Sequence, residues 1–182
     1  SPLNSLTQIG GNILRITSSP NLTSLGPGLE NLNLTELNPD GIGVEVQIQN
    51  NSNLISLSGF GDVSIYSLSL SNNQSLTSLA GFENVLLKAI SINNCNLFTS
   101  FAGLNNSINN LDSLSINNSN QLNNLSGLDN VTVEDVLLIE NNVSLNDYCA
   151  LNPQSANASI FDIYGNAFNP TQQDILTGNC SQ

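Results

Sequence analysis

Residues 67–85 read SLSLSNNQSLTSLAGFENV, which reduces to LxLxNNxxLxxLxGFxNV from Leu68 onward. The pattern recurs at Val46 (VQIQNNSNLISLSGFGDV), Ile90 (ISINNCNLFTSFAGLNNSI), Leu114 (LSINNSNQLNNLSGLDNV) and Leu137 (LLIENNVSLNDYCAL). A looser copy begins at Leu14 (LRITSSPNLTSLGPGLENL) and a degenerate one at Phe161. Successive first apolar residues are 32, 22, 22, 24, 23 and 24 positions apart. Self-similarity at that period defines a solenoid, because one unit cannot bury its own apolar face and stacked units can.

In each copy the LxL triplet alternates with period two, so Leu68 and Leu70 point one way while Ser67, Ser69 and Ser71 point the other. Each copy therefore supplies one short strand. Equivalent strands stack in parallel about 4.8 Å apart, so seven of them make a sheet on the order of 30 Å long. Leu76, Leu79 and Phe82 fold back beneath the strand and fill the core. The expected fold is mostly β: one solenoid domain over residues 1–182, with a single parallel sheet of about seven strands, few helices and a C-terminal disulfide cap.

The repeat resembles the leucine-rich repeat, whose consensus LxxLxLxxN sets an Asn three residues after the last apolar strand position. That slot holds Asn51, Asn73, Cys95, Ser119, Asn142 and Asn166, and the family's consensus itself allows Cys there. The resemblance covers nearly the whole chain. It departs from the common pattern in placing the next Leu three residues after the Asn, as in Leu54 and Leu76, and in the added LxGL segment. In this it looks closer to receptor L domains and to the leucine-rich modules of secreted Bacteroidetes-type surface proteins. The resemblance implies a binding or adhesion role at a cell surface, by analogy alone.

The Asn slots have a physical reason of their own. A buried amide is costly unless hydrogen-bonded, and the turn that leaves each strand has backbone groups no strand can pair. An Asn side chain carries donors and an acceptor to satisfy them, so stacked copies form an asparagine ladder. A second file, Asn50, Asn72, Asn94, Asn118 and Asn141, runs beside it, and the sequence assigns it no partners.

Two basic residues, Arg15 and Lys88, stand against fourteen acidic ones, giving a net charge of −12. Nucleic acid and anionic membrane surfaces are poor partners for such a chain. Charged residues make up only 9% of the chain against 39% hydrophobic, and Asn and Ser supply the polarity. No apolar run is long enough to span a membrane, so no membrane insertion by this chain is expected. Cys95 lies in an Asn slot and reads as a buried free thiol. Cys149 and Cys180, in the last repeat and the terminal segment, are the natural disulfide pair, and such a pair implies an oxidising, extracellular or cell-surface location.

In chain order, residues 1–13 lead in, with Leu3 and Leu6 spaced like Leu76 and Leu79. They read as the tail of a preceding repeat, so a signal peptide or further repeats are expected upstream. The first interval carries about ten extra residues, NLNLTELNPDGIG, with Pro39, Asp40 and Gly41 as turn residues; a plain surface excursion is the first reading and a ligand-binding loop the second. Residues 144–182 read as a cap, with Tyr148 in the Leu79 slot and a last strand FDIYGN. In NPTQQDILTGNC a short helix is expected, with Asn169 as N-cap, Pro170 at its first position and Gly178 as its stop.

Chemistry has little to work with. The chain has no His, no nucleophile–base pair and no phosphate-binding loop, so no catalytic residues and no cofactor are expected. Asp129, Glu134 and Asp135 lie near one another in sequence but lack a calcium-loop spacing and read as solvated loop, so no metal is expected. Sequons at Asn21, Asn33, Asn73, Asn124, Asn130 and Asn157 arise by chance in so Asn- and Ser-rich a chain. The informative surface is the outward face of the sheet. Its candidate binding residues are Gln47, Ser69, Ser91, Ser115, Val136, Leu138, Ile160 and Tyr164: small and polar in the middle, apolar with acidic margins toward the C-terminal end. Two readings of Val136, Leu138 and Ile160 stay open: an exposed partner patch, or residues covered by the terminal segment. The expected function is a non-enzymatic extracellular recognition or adhesion module for a protein or glycan. The alternatives are a structural spacer or stalk, and an ice- or polysaccharide-surface binder using the Ser and Asn files; the lack of Trp counts against ordinary sugar stacking.

Overall fold

The computed structural model describes the backbone of residues 8–10 and residues 12–26, 29, 43–60, 63–104, 110–129 and 131–182. Eight strands form one sheet in sequence order: β1 (Gln8–Gly10), β2 (Ile13–Thr17), β3 (Glu45–Gln49), β4 (Ser67–Ser71), β5 (Ala89–Asn93), β6 (Asn110–Asn117), β7 (Thr132–Glu140) and β8 (Ile160–Tyr164). From β2 to β8 every pairing is parallel, and Leu14, Val46, Leu68, Ile90, Leu114, Leu137 and Phe161 lie side by side. The repeat register read from the sequence is the register of the sheet.

Three features depart from expectation. Part of the lead-in is itself a strand, since β1 turns back and pairs antiparallel with β2. β6 and β7 are longer than the others, and a register shift sets Leu111 and Ser113 against Val133 and Val136, one residue more on β7. The terminal helix α1 (Gln172–Thr177) is capped by Thr171, not Asn169: Thr171 Oγ1 accepts the Asp174 N–H and Asp174 returns the bond to the Thr171 N–H. This reciprocal box satisfies two helix-end donors at once, which a lone Asn cannot. Gly178 at φ 80° ends α1, as expected. Leu3, Leu6 and the excursion with Pro39, Asp40 and Gly41 lie outside the described residues.

Beneath the sheet Leu76, Leu79, Phe82 and Val85 are fully buried, as are their equivalents Phe98, Phe101, Leu122, Leu125 and Leu128. Burying a Leu or Phe contributes roughly 1.5–3 kcal/mol, so each turn is held chiefly by its own four or five apolar residues against its neighbours. The Gly of the LxG segment has a steric cause. Gly81 has φ 104°, and a Cβ there would run into the Ser58 and Leu57 backbone of the preceding turn.

The buried Asn file is a ladder with a constant grammar. Asn51 Nδ2 donates to Ile16 O at 3.0 Å and its Oδ1 accepts Ser19 N–H at 3.0 Å. Asn73 repeats this with Ile48 O at 2.7 Å and Asn51 N–H at 3.1 Å. Asn142 does so with Ile116 O at 3.1 Å and Ser119 N–H at 2.8 Å, and Asn166 with Ile139 O at 2.8 Å and Asn142 N–H at 2.9 Å. Each rung thus binds the turn before it. The ladder is interrupted at Cys95, whose buried free thiol donates to Asn93 O at 3.6 Å, and at Ser119, whose buried Oγ meets no partner among the described residues.

The second Asn file leaves each strand in the left-handed conformation. Ser18, Asn50, Asn72, Asn94, Asn118 and Asn141 have φ between 51° and 58°, and Gly165 takes the same place after β8 at 69°. Asn tolerates this region where most side chains clash. Some of these side chains also stack, Asn72 Nδ2 donating to Asn50 Oδ1 at 2.9 Å and Asn94 Nδ2 to Asn72 Oδ1 at 2.6 Å.

The C-terminal cap packs under the last turns. Residues Pro153–Asn157 form a 3-10 turn whose buried Ser155 Oγ accepts the Val133 N–H at 2.9 Å. Tyr148 is fully buried, donates its hydroxyl to Phe168 O at 3.0 Å, and has its phenol pKa pushed well up by burial. Cys149 and Cys180 are disulfide-bonded, and Tyr148 N–H donates to Cys180 O at 2.8 Å, so the chain's end is tied to the last full repeat.

Candidate functional site

The strand alternation that buries one side of the sheet fixes the other as three outward files. The middle file runs Arg15, Gln47, Ser69, Ser91, Ser115, Leu138, Asp162 in register. Of the candidate binding residues, the sheet therefore sets Gln47, Ser69, Ser91, Ser115 and Leu138 shoulder to shoulder. Val136 and Ile160 are paired neighbours in the adjoining file, and Tyr164 stands beside Glu140 in the third.

At the N-terminal end, Arg15 Nε donates to Gln47 Oε1 at 2.9 Å, and Gln47 Nε2 to Glu45 Oε2 at 3.4 Å. Arg15 was not among the candidates, although its place directly after Leu14 puts it on the outward side. The middle carries only short polar groups and Ala89. Lys88, just before β5, lies 3.9 Å from Asp112 as a half-exposed surface ion pair.

The C-terminal end has a different chemistry. Val136 and Leu138 are half-buried, while Ile160 is 53% and Tyr164 47% exposed. Leu138 lies between Ser115 and Asp162 and is not part of the core cluster, whereas the cap directs Ser155, Ala156 and Ala158 into the buried side. Glu140 Oε2 accepts from Asn117 Nδ2 at 3.0 Å. Tyr164 has its pKa raised, first by its hydrogen bond to Glu140, then by partial desolvation and by the charges of Glu140 and Asp162. Asp162 and Glu140 also belong to this end of the face, a feature visible in the sequence as the acidic alternate positions of the last two strands.

A recess of about 390 Å3 lies on the turn side, lined by Asn124, Leu125, Ser126, Asp129, Asp147, Cys149 and Ala150. Its two carboxylates are engaged by the backbone: Asp129 accepts the Gly127 N–H at 3.1 Å and Asp147 the Cys149 N–H at 2.9 Å. Glu134 and Asp135 are exposed on β7, away from that lining, and no group of three or more metal-ligating side chains occurs among the described residues. Among the same residues no helix is long and apolar enough to cross a membrane.

What these features define is a class of architecture, a capped parallel β-solenoid with an asparagine ladder and one outward sheet face. No protein-family model, curated protein or solved structure matches the chain.

Proposed function

We propose that the chain is a non-enzymatic recognition module of the leucine-rich-repeat kind, exported to an oxidising exterior, that engages a protein partner through the C-terminal half of its outward sheet face. The observation that carries this reading is the change along one file from Ser69, Ser91 and Ser115 to Leu138, with Val136 and Ile160 alongside. Large apolar side chains supply most interface energy, whereas Ser contributes little. Leu138 is half-buried but not packed against the core, so the core does not account for an apolar residue in this otherwise polar file. The Cys149–Cys180 bond supports export, since such bonds persist where thiols are not kept reduced. The lack of His in the sequence supports a role without catalysis.

A second reading, a spacer or stalk, is favoured by the featureless Ser and Ala middle of the face. One experiment separates the two. Fluorescently labelled chain is titrated onto intact cells of the organism that makes it, beside Leu138→Ser and Ser69→Ala variants whose melting temperatures are measured first. The recognition reading expects Leu138→Ser to bind at least tenfold more weakly, by analogy with interface anchors worth about 1.4 kcal/mol or more, and Ser69→Ala to bind like the parent. Equal binding by all three would favour the spacer. A large fall in the melting temperature of Leu138→Ser would mean that Leu138 is a packing residue.

A further inference from the structure

The last strand is left unfinished. In every strand from β2 to β7 the two inward residues are at most 1% exposed, but in β8 their equivalents Phe161 and Ile163 are only partly covered. Asn141 N–H donates to Tyr164 O at 3.0 Å, so the backbone of Tyr164, and by alternation that of Asp162 and Ile160, faces β7. The N–H and C=O groups of Phe161 and Ile163 then face the other way, where no strand stands among the described residues. The main contacts of the cap's helical segments lie elsewhere: α1 packs on the 3-10 turn, and that turn on β7. An open edge is a template for another strand, and proteins blunt such edges with charged side chains, Pro or bulges. IFDIY has no Pro and no bulge, and its single charge, Asp162, selects against like-charged strands while leaving the edge open to a basic one.

We infer that the β8 edge accepts one extended strand of a partner polypeptide, with a basic residue at its centre flanked by aliphatic ones. Side chains on the added strand that face the core would cover Phe161 and Ile163, and an aliphatic outward residue would meet Ile160. Whichever way the strand runs, its central outward residue sits across from Asp162, where opposite charges stabilise and like charges destabilise. Glu140 and Asp135 lie on the neighbouring strand, while the chain's two basic residues, Arg15 and Lys88, are on β2 and before β5, strands away. A second copy is disfavoured by the same arithmetic. Antiparallel self-pairing that keeps all five residues matched sets 160 against 164, 161 against 163, and Asp162 against Asp162.

This inference goes beyond the reading of the sheet face, because it rests on the edge and survives if Leu138 binds nothing. Its test uses the intact, oxidised chain and the peptide acetyl-Ser-Val-Val-Arg-Val-Thr-Ser-amide. The peptide should slow hydrogen exchange of the Phe161 and Ile163 amides at least tenfold and leave the Leu70 amide unchanged. Replacing its Arg by Glu should weaken binding at least tenfold, and Asp162→Lys in the protein should reverse the preference between the two peptides. Unchanged exchange at Phe161 and Ile163, or equal affinity for the Arg and Glu peptides, overturns the proposal. So does sedimentation showing that the chain alone self-associates with those two amides already protected, because the edge would then belong to a second copy.

Discussion

The Asn166 N–H donates to Asn169 Oδ1 at 2.9 Å, the bond that in the body of the solenoid joins Asn51 N–H to Asn73 Oδ1 of the following turn at 3.1 Å. Asn169 stands three residues downstream in the same turn, and its Nδ2 also donates to Asn166 O at 3.2 Å. The last turn thus supplies from within itself the acceptor that a neighbour supplies elsewhere.

Removing that acceptor should loosen the cap. Asn169→Ala is expected to cost about 1 kcal/mol, the usual net worth of such a bond, read as a lower urea midpoint, while Asn169→Asp, which keeps an acceptor, should retain most of it. An unchanged midpoint in Asn169→Ala would show that water serves the Asn166 N–H equally well.

Within the body, the ladder can be both broken and mended. Asn73→Leu leaves Ile48 O and Asn51 N–H without their partner and should destabilise by about 1–3 kcal/mol. Cys95→Asn places an amide where the ladder is interrupted, beneath Leu70 as Asn73 lies beneath Ile48, and should add about 0.5–1.5 kcal/mol. Equilibrium urea denaturation of the two variants beside the parent checks both signs, and a destabilised Cys95→Asn would mean that the thiol's packing outweighs the recovered bonds.

The Cys149–Cys180 bond closes a separation of 31 residues, which by loop-closure entropy is worth roughly 3–4 kcal/mol. Reduction and alkylation should lower the melting temperature accordingly. Intact mass after alkylation without reductant should show no label in the native protein and one, on Cys95, after unfolding. Three labelled thiols would refute the pairing and remove the support for export.

Burial pushes the Cys95 thiol up from 9.0 to about 11, partly opposed by the hydrogen bond from the Asn73 backbone. A group whose folded pKa is raised contributes stability that is fully present below the unfolded value and lost as pH rises through the folded one. The window is therefore about pH 9 to 11. The stability difference between the parent and Cys95→Ala should shrink across that window, with the effect of Tyr148 cancelling because both proteins keep it. A difference independent of pH would show that the thiol is not desolvated as its burial implies.

Much of the solenoid was legible because its signal is redundant. LxL alternation and the buried Asn slot repeat in copy after copy, so the register at Leu68 fixes that at Ile90 and Leu114. What escaped reading depends on backbone angle or on chain ends. The file of Asn50, Asn72 and Asn94 owes its identity to a positive φ, and the one clue was Gly165 in the same place after the last strand. β1 and the Thr171 cap are terminal events that occur once, so no repeat reinforces them. The composition of the outward face was readable from alternation alone. The covering of Phe161 and Ile163 was not, because it depends on what lies beyond a strand.

The ladder also gives the molecule a direction. Asn51, Asn73, Asn142 and Asn166 each reach back to the turn before, through both the amide donor and the amide acceptor. A turn pulled away at the C-terminal side takes its own Asn with it and leaves the preceding turn's carbonyl and N–H unmet, whereas one pulled away at the N-terminal side leaves the next Asn's amide unmet. The same two bonds break in either case, so the two ends differ in which groups they would bare and not in how many bonds resist. At the C-terminal end the disulfide and Asn169 hold the last turn.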